Sequence, residues 1–392
     1  GGPKPKVGSQ KLGPGQADFK AGQDAAANQR WQQAADLFAR SAKVAATKTR
    51  ALMNQAMCLE RGGDVKKAAA IYAELLTSND ASLEVVKAFV RVQSGLGSYK
   101  KARQELVRRL KISPSNASLL NLLSGVLRHL KKYDAATQSA RKVILRDQKN
   151  FSAIKNLALI YTDQGKVQLA ETFFRNALKL NSKDGTIYVN LGLIAAKRGE
   201  DQRAIAEFET ALKLDPKNAS AWANIGSISL KYRDYERAAK AYGLALGSGL
   251  NTCATMAAMG YSLEGTQKGQ EAVAQLAKTY EMCPKEHELV FSMGMICMGQ
   301  LRDNQCALKH FTSYAQAKKK LDKGHQVYEY IRSLKEQIEM EAQGPEDYPE
   351  EEAADDGAIG GEDSDTPSVQ EASPAQEGAA DATGTTSVNH GA

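Results

Sequence analysis

Apolar residues along this chain fall at helical spacing in short blocks, and the blocks recur every 34 residues. The clearest copy runs over residues 185–218. Counting Gly185 as position 1, one stripe holds Tyr188, Leu191, Gly192 and Ala195 at positions 4, 7, 8 and 11. A second holds Ala204, Phe208 and Ala211 at positions 20, 24 and 27. The next copy places Trp222, Ile225, Gly226, Ser229, Ala238, Tyr242 and Ala245 at the same positions. Each stripe is one face of an amphipathic helix. The break between them is polar and often carries Gly at position 15 (Gly63, Gly97, Gly165, Gly199), which suits a helix C-terminus. Each copy closes on a second stop, such as Ser113–Pro114 or Asp215–Pro216.

The unit is therefore a pair of helices, with small residues at positions 8 and 20 where the two approach. A pair this short cannot bury its own apolar face, so neighbours must stack. Copies begin at Gly15, Thr49, Leu83, Ala117, Phe151, Gly185, Ala219, Cys253 and His287, with no insertion or deletion expected. Alanine holds position 20 in the first eight and yields to Cys306 in the ninth. His310 takes the large apolar position 24 and reads as a packed histidine. Beyond Lys320 the period ends, and Val327, Ile331, Leu334 and Ile338 are spaced for one further helix that caps the stack.

These residues resemble the tetratricopeptide repeat (TPR) family over residues 15–320. The resemblance implies an all-α, right-handed superhelical solenoid of nine helix pairs plus the capping helix over residues 321–343. Residues 1–14, rich in Gly and Pro, read as a basic linker. Residues 344–392 carry 13 acidic residues and no Lys or Arg, and too little apolar surface to offset ordering entropy. The whole chain is +7. Taking the 13 tail acids from the 45 leaves 32 against 52 basic residues, or +20 for residues 1–343. Such a surface admits acidic proteins, anionic surfaces or nucleic acid as partners.

In TPR stacks the first helices line a concave groove, and the resemblance points positions 2, 5, 6, 9, 12 and 13 into it. Here those positions hold Arg50, Arg61, Lys87, Arg91, Arg128, His129, Lys155, Lys197 and Lys231, against Glu60, Glu84 and Asp163. Position 6 is Asn in four repeats: Asn54, Asn156, Asn190 and Asn224. This resembles the asparagine ladder of peptide-binding TPR solenoids, because an amide can pair with a peptide backbone as both donor and acceptor. Repeats eight and nine instead supply Tyr261, Phe291, Met295 and Met298, an apolar groove end suited to adaptable contacts. The carboxylate clamp of chaperone-binding TPR domains, Lys at position 5 with Asn at position 9, is absent: Leu159 follows Lys155 and Arg91 follows Lys87.

No phosphate loop, HExxH or GxSxG occurs, and none of the five histidines sits in a nucleophile–base pattern. The chain reads as a non-enzymatic scaffold without cofactors. Of the five cysteines, Cys253 and Cys283 mark the start and end of repeat eight, while Cys297 and Cys306 face each other at positions 11 and 20 of repeat nine. Two disulfides, and with them an oxidising compartment, are one reading; buried free thiols are the other. The spacing lacks the CxxC of most zinc sites.

The expected partner is a protein with an extended acidic segment, with the chain's own acidic tail as a competitor in cis and nucleic acid as the alternative. The Gly-Gly start and Gly/Pro linker are similar to mature bacterial envelope TPR lipoproteins, which serve pilus assembly, gliding motility and outer-membrane complexes. Trimming of the chain explains the same start. The resemblance implies a periplasmic or outer-membrane-associated protein, with membrane contact only through a lipid anchor that this chain does not carry. A cytoplasmic location is the alternative.

Overall fold

The computed structural model describes residue 13 and residues 15–77, 81–318 and 321–343. The acidic tail, and all of the linker but Gly13, lie outside the described residues. Every regular element among the described residues is helical. The first four repeats contribute α1 (Gln16–Ala27), α2 (Trp31–Ser41), α3 (Lys48–Arg61), α4 (Val65–Leu75), α5 (Leu83–Gly95), α6 (Tyr99–Ile112), α7 (Ala117–His129) and α8 (Tyr133–Ile144). The next four contribute α9 (Phe151–Asp163), α10 (Val167–Leu180), α11 (Gly185–Lys197), α12 (Asp201–Leu214), α13 (Ala219–Lys231), α14 (Tyr235–Gly247), α15 (Cys253–Gly265) and α16 (Gly269–Met282). Then come α17 (Glu288–Ile296), a π-helical turn over Cys297–Leu301, α18 (Asn304–Ala317) and α19 (Gln326–Gln343). The chain divides into two compact units, Gly1–Gln275 and Leu276–Ala392.

In the first unit the 34-residue period is a period of local chemistry as well as of apolar faces. The side chains of Ser82, Asn116, Asn150, Asp184, Asn218 and Thr252, each at position 34, accept a backbone N–H at the start of the following first helix. Such a cap satisfies one of the donors that a helix start leaves open. Position 15 ends each first helix in the left-handed region. Gly63, Gly97, Gly165 and Gly199 do so without a Cβ, and Gln29, Lys131, Arg233 and Gln267 do so with one.

Positions 8 and 24 explain the close approach of paired helices. A Cβ built on Gly192 would sit 2.5 Å from the Phe208 ring, and one on Gly226 2.9 Å from Tyr242. Phe208 and the alanines Ala204 and Ala211 are fully buried beside this contact. A ring on one helix thus occupies the space that the missing side chain leaves on the other.

The second unit departs from the expected register. The π turn at Cys297–Leu301 takes up one extra residue, and everything after it moves by one position. The left-handed residue is Arg302 at position 16, the buried small residue is Ala307 rather than Cys306, and the buried ring against Gly294 is Phe311 rather than His310. Repeat nine therefore contains an insertion that its unbroken spacing from repeat eight conceals. The extra helix is present: α19 buries Val327 and Leu334 and packs on α18.

Candidate functional site: the face of the first helices

The first helices of the first unit place the asparagines of position 6 half-buried at matching turns of α3, α9, α11 and α13. Three of the four amides are tethered, those of Asn156, Asn190 and Asn224. Asn190 Nδ2 donates to Thr186 O at 2.7 Å and Asn224 Nδ2 to Ser220 O at 2.8 Å, each one turn back on its own helix. Asn156 Nδ2 instead reaches the neighbouring repeat and donates to Asn121 O at 2.9 Å. One N–H of each amide is thereby held, which orients the group and leaves it one N–H and its carbonyl oxygen.

The cations expected in the groove have a different fate. Arg91 pairs with Glu60 at 2.6 Å, Lys155 with Asp184 at 2.8 Å and Lys231 with Asp201 at 2.5 Å. Arg128 is buried, pairs with Asp163 at 3.3 Å and lies 3.1 Å from His129. Each of these bonds links residues about one repeat apart, and Lys155 reaches the N-cap of the next first helix, α11. These four side chains are neutralised struts, not free charges facing a ligand. Lys87 and Lys197 are exposed and form no ion pair among the described residues. Arg50 and Arg61 lie over the rings of Phe19 and Trp31 at 4.9 and 5.2 Å.

The carboxylates respond to these partners. Burial raises Asp184, but the hydrogen bonds from Lys155 and Thr186 and the Lys155 charge together outweigh it, and the group ends below its ordinary range. The Lys231 ammonium holds Asp201 down as well. At Asp163 burial prevails over Arg128 and the carboxyl is pushed up. Glu60 and Asp163 were visible as acids at groove positions. Asp184 and Asp201 occupy helix-start positions, where a carboxylate reads as a cap, so sequence spacing did not reveal them as counter-ions.

The residues expected to form the apolar end are divided between the two units. Tyr261 belongs to the first unit. In the second unit Phe291 is packed among Phe311, Tyr314, Tyr330 and His325, with ring centroids 5.2–6.4 Å away, so it lies within an aromatic cluster rather than in an open groove. Met295 and Met298 are half-buried, and Met298 lies in the π turn.

Cys297 and Cys306 are joined by a disulfide with Cα atoms 5.7 Å apart. His310, one turn beyond Cys306, completes a set of three donor atoms within 4.8 Å of one another, but the two sulfurs are spent on the bond. Burial and Lys309 together push the His310 imidazole down, so the neutral ring is favoured. Cys253 and Cys283 fall in different units, and their pairing stays an expectation. Cys58 is buried, and burial pushes its thiol up, which makes it inert.

Residues 192–231 match the family model described as TPR repeat, and residues 19–82 and 155–209 match that described as Tetratricopeptide repeat. No curated protein matches by sequence. Among solved structures, a tetratricopeptide repeat protein from Parabacteroides merdae ATCC 43184 has a TM-score of 0.55 at 18% identity, over 64% of this chain and 99% of its own. The APC/C hetero-tetramer Cut9-Hcn1 has a TM-score of 0.51 at 14% identity, over 77% of this chain and 58% of the other, less than two thirds of that relative. At these identities the likeness is one of fold. Residues 19–82 and 155–231 are thus matched as tetratricopeptide repeats, and the helix pairs with their caps every 34 residues give the described residues the fold of such repeats.

Proposed function

We propose that this chain is a non-catalytic scaffold whose first helices hold an extended segment of a partner protein along Asn156, Asn190 and Asn224. The observation that carries this reading is the tethering of the three amides in successive repeats. A side chain already held by a backbone carbonyl loses little freedom when it pairs with a peptide, so its remaining N–H and oxygen bind at low entropic cost. Lys197, two turns along α11 from Asn190, favours acidic side chains in that segment. The paired cations Arg91, Arg128, Lys155 and Lys231 weaken that preference, since their charge is already spent.

The Cys297–Cys306 bond supports an oxidising compartment, and with it a role in a bacterial cell-envelope assembly. Alanine at Asn156, Asn190 and Asn224 together should weaken partner capture by roughly 10–100-fold, the sum of three modest hydrogen-bond contributions. Circular dichroism must first show the variant folded, because Asn156 also ties two repeats together. Undiminished capture by the folded variant would refute the groove.

A further inference from the structure

With the first-helix cations largely paired, the unspent positive charge of the first unit lies elsewhere. It is concentrated on α6, a second helix. Its sequence carries Lys100, Lys101, Arg103, Arg108, Arg109 and Lys111 against a single acid, Glu105. That acid is fully used. Arg108 and Arg109 both donate to Glu105 at 2.8 Å, and both also reach the backbone oxygen of Leu76 beyond the end of α4. The inward face of α6 is Ala102, Leu106 and the buried Arg109. The outward face is left with Lys100, Arg103 and Lys111, all exposed and with no counter-ion among the described residues.

This face is one wall of a groove of about 600 Å³, whose other wall comes from the turn between α7 and α8. Lys132 adds a fourth unpaired cation from that side, and no acidic residue lines the groove. Its apolar lining is Val107, 37% exposed, and the half-buried Leu130. From Lys100 to Lys111 the helix rises about 16 Å, the reach of roughly five residues of extended chain.

We infer that this groove is a second binding site, for an acidic peptide segment of a partner protein that carries an apolar side chain between its carboxylates. The cations meet the carboxylates, and Val107 with Leu130 receives the apolar group. The site uses α6 and the turn that follows α7, and none of the asparagines lines it, so it stands apart from the ladder. Nucleic acid fits less well. Single strands are held by stacking on aromatic rings, and no ring lines this groove. The nearby Tyr99 is already stacked on His129, with centroids 4.6 Å apart.

The test is fluorescence anisotropy with the full chain and the labelled peptide EEDLEEDLEE. Saturable binding is expected. The variant Lys100→Glu/Arg103→Glu/Lys111→Glu, which touches only exposed side chains, should weaken it at least about tenfold by replacing attraction with repulsion. Replacing both leucines of the peptide by serine, or Val107→Ser in the protein, should each weaken it several-fold. Charge reversal on α6 should weaken binding by the same factor in the triple asparagine variant as in the parent chain, which separates failure of this site from failure of the ladder. Unchanged binding by the charge-reversed protein overturns the proposal. Equal binding of the serine peptide also overturns it, leaving a site for any polyanion, and tighter binding of oligothymidylate assigns the groove to nucleic acid instead. Carbodiimide cross-links from Lys100, Lys111 or Lys132 to the acids of residues 346–365 in the free protein would make the occupant the chain's own segment and not a partner's.

Discussion

Single residues decide how closely the helices of a repeat can pack. Gly192 has no room for a methyl group, because its Cβ would meet a buried ring that cannot swing away. Gly125 lies in a helix of the same kind with nothing within 4 Å of its Cβ position. The same substitution should therefore have opposite effects. Gly125→Ala should stabilise by about 0.5–1 kcal/mol, the ordinary gain in helix propensity. Gly192→Ala should destabilise, because overpacking of about 1–3 kcal/mol exceeds that gain. Urea unfolding of the two variants against the parent reads both signs, and equal shifts would show that position 8 is not set by the facing ring. The small residue at position 8 was legible in the sequence, but the ring that demands it is 16 residues away and belongs to another helix.

At the scale of the helix, charge networks join adjacent repeats. Glu171 on α10 accepts from Arg175 on its own helix, from Arg198 after α11 at 2.6 Å, and from Arg203 on α12. Burial raises its pKa, but the hydrogen bonds from the three arginines outweigh this and hold it at about 2, against 4.5 for a free Glu. A carboxylate lowered in the folded state contributes stability above its unfolded pKa and loses it as pH falls through the folded value. The contribution of Glu171 is thus complete above about pH 4.5 and fades toward pH 2; at neutrality it is on the order of 3 kcal/mol. The Glu171→Gln variant should lose most of its deficit relative to the parent as pH falls across that window. A deficit that stays constant from pH 7 to pH 2.5 would show that the arginines do not hold the carboxylate. Element order and helix stops could be read from spacing, whereas this network could not: its members lie up to 32 residues apart on faces that periodicity assigns only to solvent.

For the molecule as a whole, net charge and compartment are the properties at stake. The +20 carried by residues 1–343 suggests a basic groove, yet four of the expected groove cations are consumed by carboxylates of nearby repeats, while the second-helix face of α6 keeps its charge. The proposed oxidising compartment rests on the cysteines. A chain at home in an oxidising space should yield a linked pair of peptides containing Cys297 and Cys306 when it is digested without reductant. Alkylation of both thiols in protein taken directly from its native source would remove the support for an envelope location. His310 beside that bond carries no separate argument, since the one-residue shift through the π turn moves it off the position its spacing had assigned.

The sequence alone determined the repeat, its helix pairs and the helix stop at position 15 where it is Gly. These depend on contacts within a few residues, or on a period that every copy repeats. Tertiary structure alone decided which charges are free, which asparagine spans two repeats and where the ninth repeat slips by one residue. An ion pair depends on distance between helices, and a bulge changes phase without changing the spacing of what precedes it, so neither leaves a periodic mark in the chain.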